Sequence, residues 1–210
     1  MNTSRIAAGT AVLALLLTAC SGPAPQAAPT ASVAPASTPS ATPTPAPAAT
    51  GTGTENERGQ LVTKIGEEAI LVTDGYDAPP TLTFKVTSIK PIKCDAPNAP
   101  RPTGTAIAVA LEIVASPRFS GPLKVDGQSG MISFGPHYWK GYASDGTRMT
   151  TVQSAVEHGC LADKTKLLPR YFGKGERLTG LVILDVTTPA GEVSFVPNGI
   201  GGWVWKYPAT

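Results

Sequence analysis

Charge is missing from the front of this chain. Between Arg5 and Glu55 there is no Asp, Glu, Lys or Arg. The full 210 residues carry 17 Lys+Arg against 15 Asp+Glu, a net of +2. So small an imbalance argues against a nucleic-acid surface or a polybasic membrane patch. Histidine occurs only at His137 and His158, so a catalytic triad would need a distant Ser and Asp that no spacing selects. The step Gly127-Gln128-Ser129-Gly130 lacks the fifth position of a nucleophile elbow. Gly199-Ile200-Gly201-Gly202 precedes a Trp-rich run, so its glycines fit a turn and not a phosphate loop. Glu67 and Glu68 are adjacent on a presumed loop, which does not resemble the separated carboxylate pair of glycoside hydrolysis. No catalytic residue, no metal site and no cofactor are therefore expected, and the chain reads as a non-enzyme.

Most of what is present lies after the gap in charge. Residues 55–210 hold 31 of the 32 charges and all 13 aromatics, enough for one domain with a real core. Ahead of them, Arg5 precedes an apolar stretch of 12 residues from Ile6 to Leu17. That is too short for a membrane span, which needs roughly 20, and has the length of a signal-peptide core. The stretch ends in Leu17-Thr18-Ala19-Cys20, which resembles the lipobox of bacterial lipoproteins. The resemblance implies a signal peptide over residues 1–19 and a lipidated Cys20 as first mature residue, bearing a diacylglyceryl group and palmitate-type acyl chains. Two chains meet the requirement for stable anchoring, at about 0.8 kcal/mol per buried CH₂. Cys20 is thus the expected contact with the membrane, on its extracytoplasmic face.

Residues 20–54 form the expected tether. After Cys20 come ten Ala, eight Pro, seven Thr, four Ser and three Gly, with only Gln26 and Val33 besides. Such a composition cannot bury enough apolar surface to offset chain entropy. Its Pro alternation favours extended polyproline II, which at about 3.1 Å per residue reaches roughly 105 Å.

From residue 55 onward the pattern is period-two alternation broken by Gly, Pro and Asp turns, which predicts an all-β, two-sheet sandwich. Leu82, Phe84 and Val86 share one face of residues 81–89. Ile107, Val109, Leu111 and Ile113 share one face of residues 105–115. Leu181-Val182-Ile183-Leu184 is apolar on both faces, as a central, doubly covered strand would be. Asp145-Gly146 predicts a type I′ hairpin between residues 139–144 and 147–152. Only residues 154–166 leave room for a short helical turn. With Cys20 reserved for lipid, Cys94 and Cys160 remain as a pair in a chain sent to an oxidising compartment, which favours a disulfide.

The order of these pieces resembles a known family. Residues 82–89, a proline-rich bend and residues 105–115 come first. Gly173-Lys174-Gly175-Glu176-Arg177-Leu178-Thr179-Gly180 then opens the late apolar strand, Pro189-Ala190-Gly191 turns, and residues 202–207 close the sheet. This is similar to the immunoglobulin-like extracellular domain common in lipoproteins of Gram-positive and especially actinobacterial bacteria. The Asn that often follows the strand ending near Ala115-Ser116-Pro117 is missing here. The resemblance implies an immunoglobulin-like sandwich, an anchored extracellular setting and no agreed activity.

Among the domain's residues, the run from Phe134 to Tyr142 is the best binding candidate. Successive residues of a strand face opposite ways, so Tyr138 and Trp139 cannot both be core, and one of them, with Tyr142, is expected to stack on a glycan or a partner protein. A soft copper site from Met131, His137, Met149 and His158 is the rival reading, and a cell-wall hydrolase the remaining one. The expected protein is thus a monomeric, non-catalytic binding or scaffolding module, with an unknown envelope protein or glycan as partner and no nucleic acid.

Overall fold

Alternation becomes strand wherever it is long, and the strands assemble into two facing sheets. The computed structural model describes residues 49–50, 53–73, 79–197, 199 and 201–207. The expected signal peptide, Cys20 and most of the tether lie outside the described residues. In chain order the strands are β1 (Ala49–Thr50), β2 (Leu61–Val62), β3 (Glu68–Leu71), β4 (Leu82–Pro91), β5 (Thr105–Ala115) and β6 (Gly121–Val125). They continue as β7 (Gln128–Gly130), β8 (Trp139–Ala143), β9 (Arg177–Val186), β10 (Gly191–Phe195) and β11 (Trp203–Tyr207). One helix, α1 (Val156–Gly159), and 3₁₀ turns at Pro136–Tyr138 and Lys164–Lys166 complete the described elements. The fold is a two-sheet β-sandwich. One sheet runs β1-β3-β4-β5-β9, the other β2-β11-β10-β8, and β6-β7 is a separate hairpin.

The inner faces carry the alternating apolar residues read from the sequence. Phe84 lies opposite Ile113 and Val86 opposite Leu111, all buried. A bulge between Val86 and Ser88 then inserts one residue into β4. The extra residue shifts the alternation, so Ile89, an odd position, joins the same core face as the even ones before it. Phe84 is the principal link between the sheets. Its ring meets Trp203 at 4.9 Å, Phe134 at 5.0 Å, Phe195 at 5.7 Å and Trp205 at 6.2 Å, each edge to face. The indole N–H groups of Trp203 and Trp205 are buried without a hydrogen-bond partner among the described residues. Each such orphan costs about 1–3 kcal/mol, a penalty that the burial of two indoles must outweigh.

Four expectations need correction. The domain starts earlier than residue 55, because β1 falls inside the 20–54 segment and pairs with β3. β9 is not central: it is the last strand of its sheet, although apolar groups do cover both its faces. Asp145-Gly146 is not type I′, since only Gly146 has positive φ, at 86°. Gly146 N–H donates to Ala143 O and Ala143 N–H to Thr147 O, the pattern of a three-residue loop with a left-handed glycine. The predicted return strand shrinks to a bridge between Tyr142 and Arg148. A primed turn occurs instead at Asp126 (φ 49°) and Gly127 (φ 83°), inside β6-β7, which the sequence presented only as a turn-rich loop.

Replacing Phe84 with Ala is expected to cost about 3–5 kcal/mol, because four surrounding rings cannot close the cavity. A loss of unfolding free energy in urea of less than a quarter of that amount would show the ring to be dispensable.

Candidate binding cleft

Residues 152–171 lack any periodicity, and local polar contacts shape them. In the turn before α1, Ser154 Oγ accepts from the Val156 N–H at 3.3 Å. Asp163 caps the following 3₁₀ turn, accepting from the Thr165 N–H at 3.0 Å and the Thr165 hydroxyl at 2.6 Å. The same two bonds hold its carboxyl below the usual range. Cys94 and Cys160 are joined as a disulfide, and Cys160 O accepts from the N–H groups of Asp95 and Ala96. This lobe lies on the outer face of the five-stranded sheet, where Ala106 and Ala108 are small enough to admit Val156 and Cys160 into a second apolar cluster with Ile183 of β9. The fit is close: a Cβ on Gly159 would stand 2.6 Å from Cδ of Pro100. Asp185 is buried and fixes the facing bend, accepting from the N–H groups of Thr103 at 2.8 Å and Gly104 at 3.0 Å.

Beside this lobe, along the free edge of β9, a cleft of about 320 Å³ opens. Phe134, Leu167, Leu168, Leu181 and Val182 make it apolar, while Glu157, His158, Lys164 and Arg170 stand around it. An adjoining depression of about 380 Å³ shares Gly135, Glu157, His158 and Arg170 and adds Ser133, His137, Gln153 and Tyr171. An apolar hollow with a few convergent polar groups is the usual form of a ligand site. His158 Nε2 lies 3.2 Å from Glu157 Oε1, and Lys164 Nζ donates to His158 O. The Arg170 guanidinium lies over the Tyr171 ring at 5.4 Å. Burial pushes the His137 imidazole below its ordinary pKa, Glu157 partly opposes this, and Arg170 adds to it. Burial, with Tyr171 nearby, raises the Tyr138 phenol.

The aromatic run behaves differently from its expectation. Gly135 and Pro136 turn the chain through a 3₁₀ segment ending at Tyr138, so the strand begins only at Trp139 and the two rings need not oppose. Trp139 is buried, with its Nε1–H donating to Phe134 O at 2.9 Å and its ring packed on Phe195 and Trp205. Tyr142 is on the outer face but is also buried, because the Arg58 guanidinium sits 4.1 Å from its centroid and pairs with Glu192. Neither ring offers a stacking surface. Tyr138 alone is partly exposed, against the core on one side and His137 on the other at 3.8 Å.

The four residues of the copper reading are not brought together. His137 and His158 line one depression, but Met149 is core beside Gly141 and Met131 lines a different hollow with Gly173. Among the described residues no three His, Cys, Asp or Glu are placed to hold a metal ion. Ser133 lies near His137, yet it is fully buried and its Oγ accepts from the Gly135 N–H at 3.0 Å. No hydrogen bond joins Ser133 to His137 among the described residues. Sequence reasoning missed Glu157, Leu167, Leu168 and Arg170 as site residues. Their one local signal is Leu167-Leu168-Pro169-Arg170, an apolar pair ended by proline within a segment of no periodicity.

No protein-family model and no curated protein matches the sequence. Two solved structures are similar to part of the chain. The secreted protein MPT63 of Mycobacterium tuberculosis is 17% identical, with a TM-score of 0.44 over 70% of this chain and 98% of its own. The YcdA protein of Bacillus subtilis, described as a candidate lipoprotein, is 9% identical, with a TM-score of 0.37 over 61% of this chain. That alignment spans 37% of the Bacillus protein's length.

Two outcomes follow from the site's chemistry. Because the fold favours neutral His137, the unfolded chain takes up that proton at a higher pH, and stability falls as pH descends through the ordinary imidazole range. His137→Asn should flatten this part of a denaturation-versus-pH curve, and an unchanged slope would contradict the assignment. Opening the Cys94–Cys160 bridge, whose ends are 66 residues apart, should lower stability by about 4 kcal/mol on loop entropy. Comparing urea midpoints of Cys160→Ser and the oxidised chain measures it.

Proposed function

We propose that this chain is a lipid-anchored extracytoplasmic lipoprotein whose sandwich domain serves as a non-catalytic binding module of the cell envelope. The observation that carries the reading is the cleft beside β9, an apolar hollow with charged groups gathered at its margin and a disulfide-pinned lobe as one wall. The setting draws support from the lipobox residues Leu17-Thr18-Ala19-Cys20 and from the disulfide, which belongs in an oxidising compartment. No helix among the described residues is long and apolar enough to cross a membrane, so in this reading the acyl chains on Cys20 do the holding. The Ala/Pro/Thr segment would let the domain stand off from the bilayer. Its ligand in this reading is an envelope protein or glycan, and the domain works as a monomer with neither cofactor nor nucleic acid.

The anchoring half of the proposal is tested by Cys20→Ala. The variant should leave the membrane fraction and accumulate in the soluble extracytoplasmic fraction. Retention in washed membranes at the wild-type level would refute lipid attachment at Cys20.

A further inference from the structure

The stretch Gly53-Thr54-Glu55-Asn56-Glu57-Arg58-Gly59-Gln60 has no apolar side chain, yet it lies against the outer face of the four-stranded sheet. Asn56 shapes it into a closed loop. Its Oδ1 accepts from the N–H groups of Arg58 at 3.0 Å and Gln60 at 3.1 Å, and its own N–H donates to Gln60 O at 2.9 Å. Thr54 O accepts from the Val62 N–H at 3.0 Å, which lays the chain along β2. Gly53 permits that approach, since a Cβ there would stand 2.4 Å from Val62 O.

Two side chains of this strap reach onto the sheet. Gln60 is buried; its Nε2 donates to Ser194 Oγ at 3.0 Å, and its Oε1 accepts from Arg58 Nε at 3.0 Å. The Arg58 guanidinium also pairs with Glu192 and covers the Tyr142 ring at 4.1 Å. The face they close is shut off from water: Tyr142 is 6% exposed, and Ser194 and its cross-strand neighbour Val204 are buried. The contacts that hold the strap are polar, and its ion pair is partly exposed, at 31% and 24% of the two side chains. Such contacts are weak where water competes for them, so the strap is far easier to lift than the aromatic core is to unpack.

We infer that residues 53–60 are a latch that opens as one unit while the sandwich stays folded, and that its opening uncovers Tyr142. Closed, it leaves the ring no surface on which to stack. Open, it exposes the same ring on β8 beside Ser194 and Val204, on a face remote from the aromatic core. Arg58 is the bolt, because one guanidinium holds Gln60, Glu192 and Tyr142 together. The latch begins just after β1 in the chain. In the anchored reading above, a pull through the tether reaches this segment before it reaches the core. The latch itself stands without that reading, since its contacts lie wholly within the domain.

Native-state hydrogen exchange of the isotope-labelled full chain carrying Cys20→Ala tests the latch. The amides of Asn56, Gly59, Gln60 and Val62, each bonded within the strap, should be protected and should exchange together. Their rate should exceed that of β5, a strand with neighbours on both sides, at least about tenfold. Arg58→Ala should speed the four strap amides about fivefold further and leave β5 unchanged. In that variant a water-soluble paramagnetic probe should broaden the Tyr142 ring resonances, which the parent chain shields. Strap amides that exchange only at the β5 rate would make the segment part of the sandwich and overturn the latch. Strap amides without protection in the parent chain would overturn it equally, as would a strap rate and a Tyr142 signal that ignore Arg58→Ala.

Discussion

The meeting of Phe84 with the opposite sheet is the constraint on which the sandwich depends. One ring from β4 inserts among Trp203, Trp205, Phe195 and Phe134, all at centroid distances of 4.9–6.2 Å and all edge to face. Edge-to-face geometry sets ring orientation as well as distance, so it fixes the alignment of the two sheets and not only their separation. Phe134 and Phe195 are themselves stacked at 4.1 Å, which ties the segment before the Gly135–Pro136 corner to the same group. That corner lines the cleft. The rigidity of the cleft's inner wall is thus inherited from the aromatic centre of the core.

The opposite wall is built by other means. The 152–171 lobe has no alternating pattern with which to join a sheet, and it is held by a disulfide, two side-chain-to-backbone turn bonds and a small apolar cluster. It lies over the outer face of β5 and β9 because Ala106 and Ala108 leave space there. Covering β9 in this way also protects an edge that would otherwise offer bonds to any passing strand. Ile183, which lines the cleft, is buried in the same apolar cluster.

Much of the fold was legible in the sequence, and the reasons differ by element. β4, β5 and β9 are long, and their alternation survives averaging, so their limits were nearly right. β6 and β7 were missed because they are only five and three residues long, and Leu123 and Val125 are the only apolar alternation they carry. Asp145-Gly146 misled because a dipeptide does not state loop length: the same two residues serve a two-residue primed turn or the end of a three-residue loop. The cleft was not legible. Its apolar wall combines Phe134, Leu167, Leu168 and Val182, which come from three separated stretches of chain, and nothing local marks any of them as facing a void.

The sequence by itself determined where the charge, the aromatics and the thiols lie, and with them the β-rich character of residues 55–210 and the expected pairing of Cys94 with Cys160. Those properties depend on composition and on period-two spacing, which are local. Only the tertiary structure decided which rings are surface. Trp139 is buried because a 3₁₀ turn re-aims it toward the core, and Tyr142 because Arg58, 84 positions earlier in the chain, folds across it. It also decided that β9 is an edge beside a hollow, since an edge is a property of the strand that is not next to it. The bare, uncharged front of the chain and the charged margin of the cleft are therefore known in different ways: composition suffices for the first, and long-range contact creates the second.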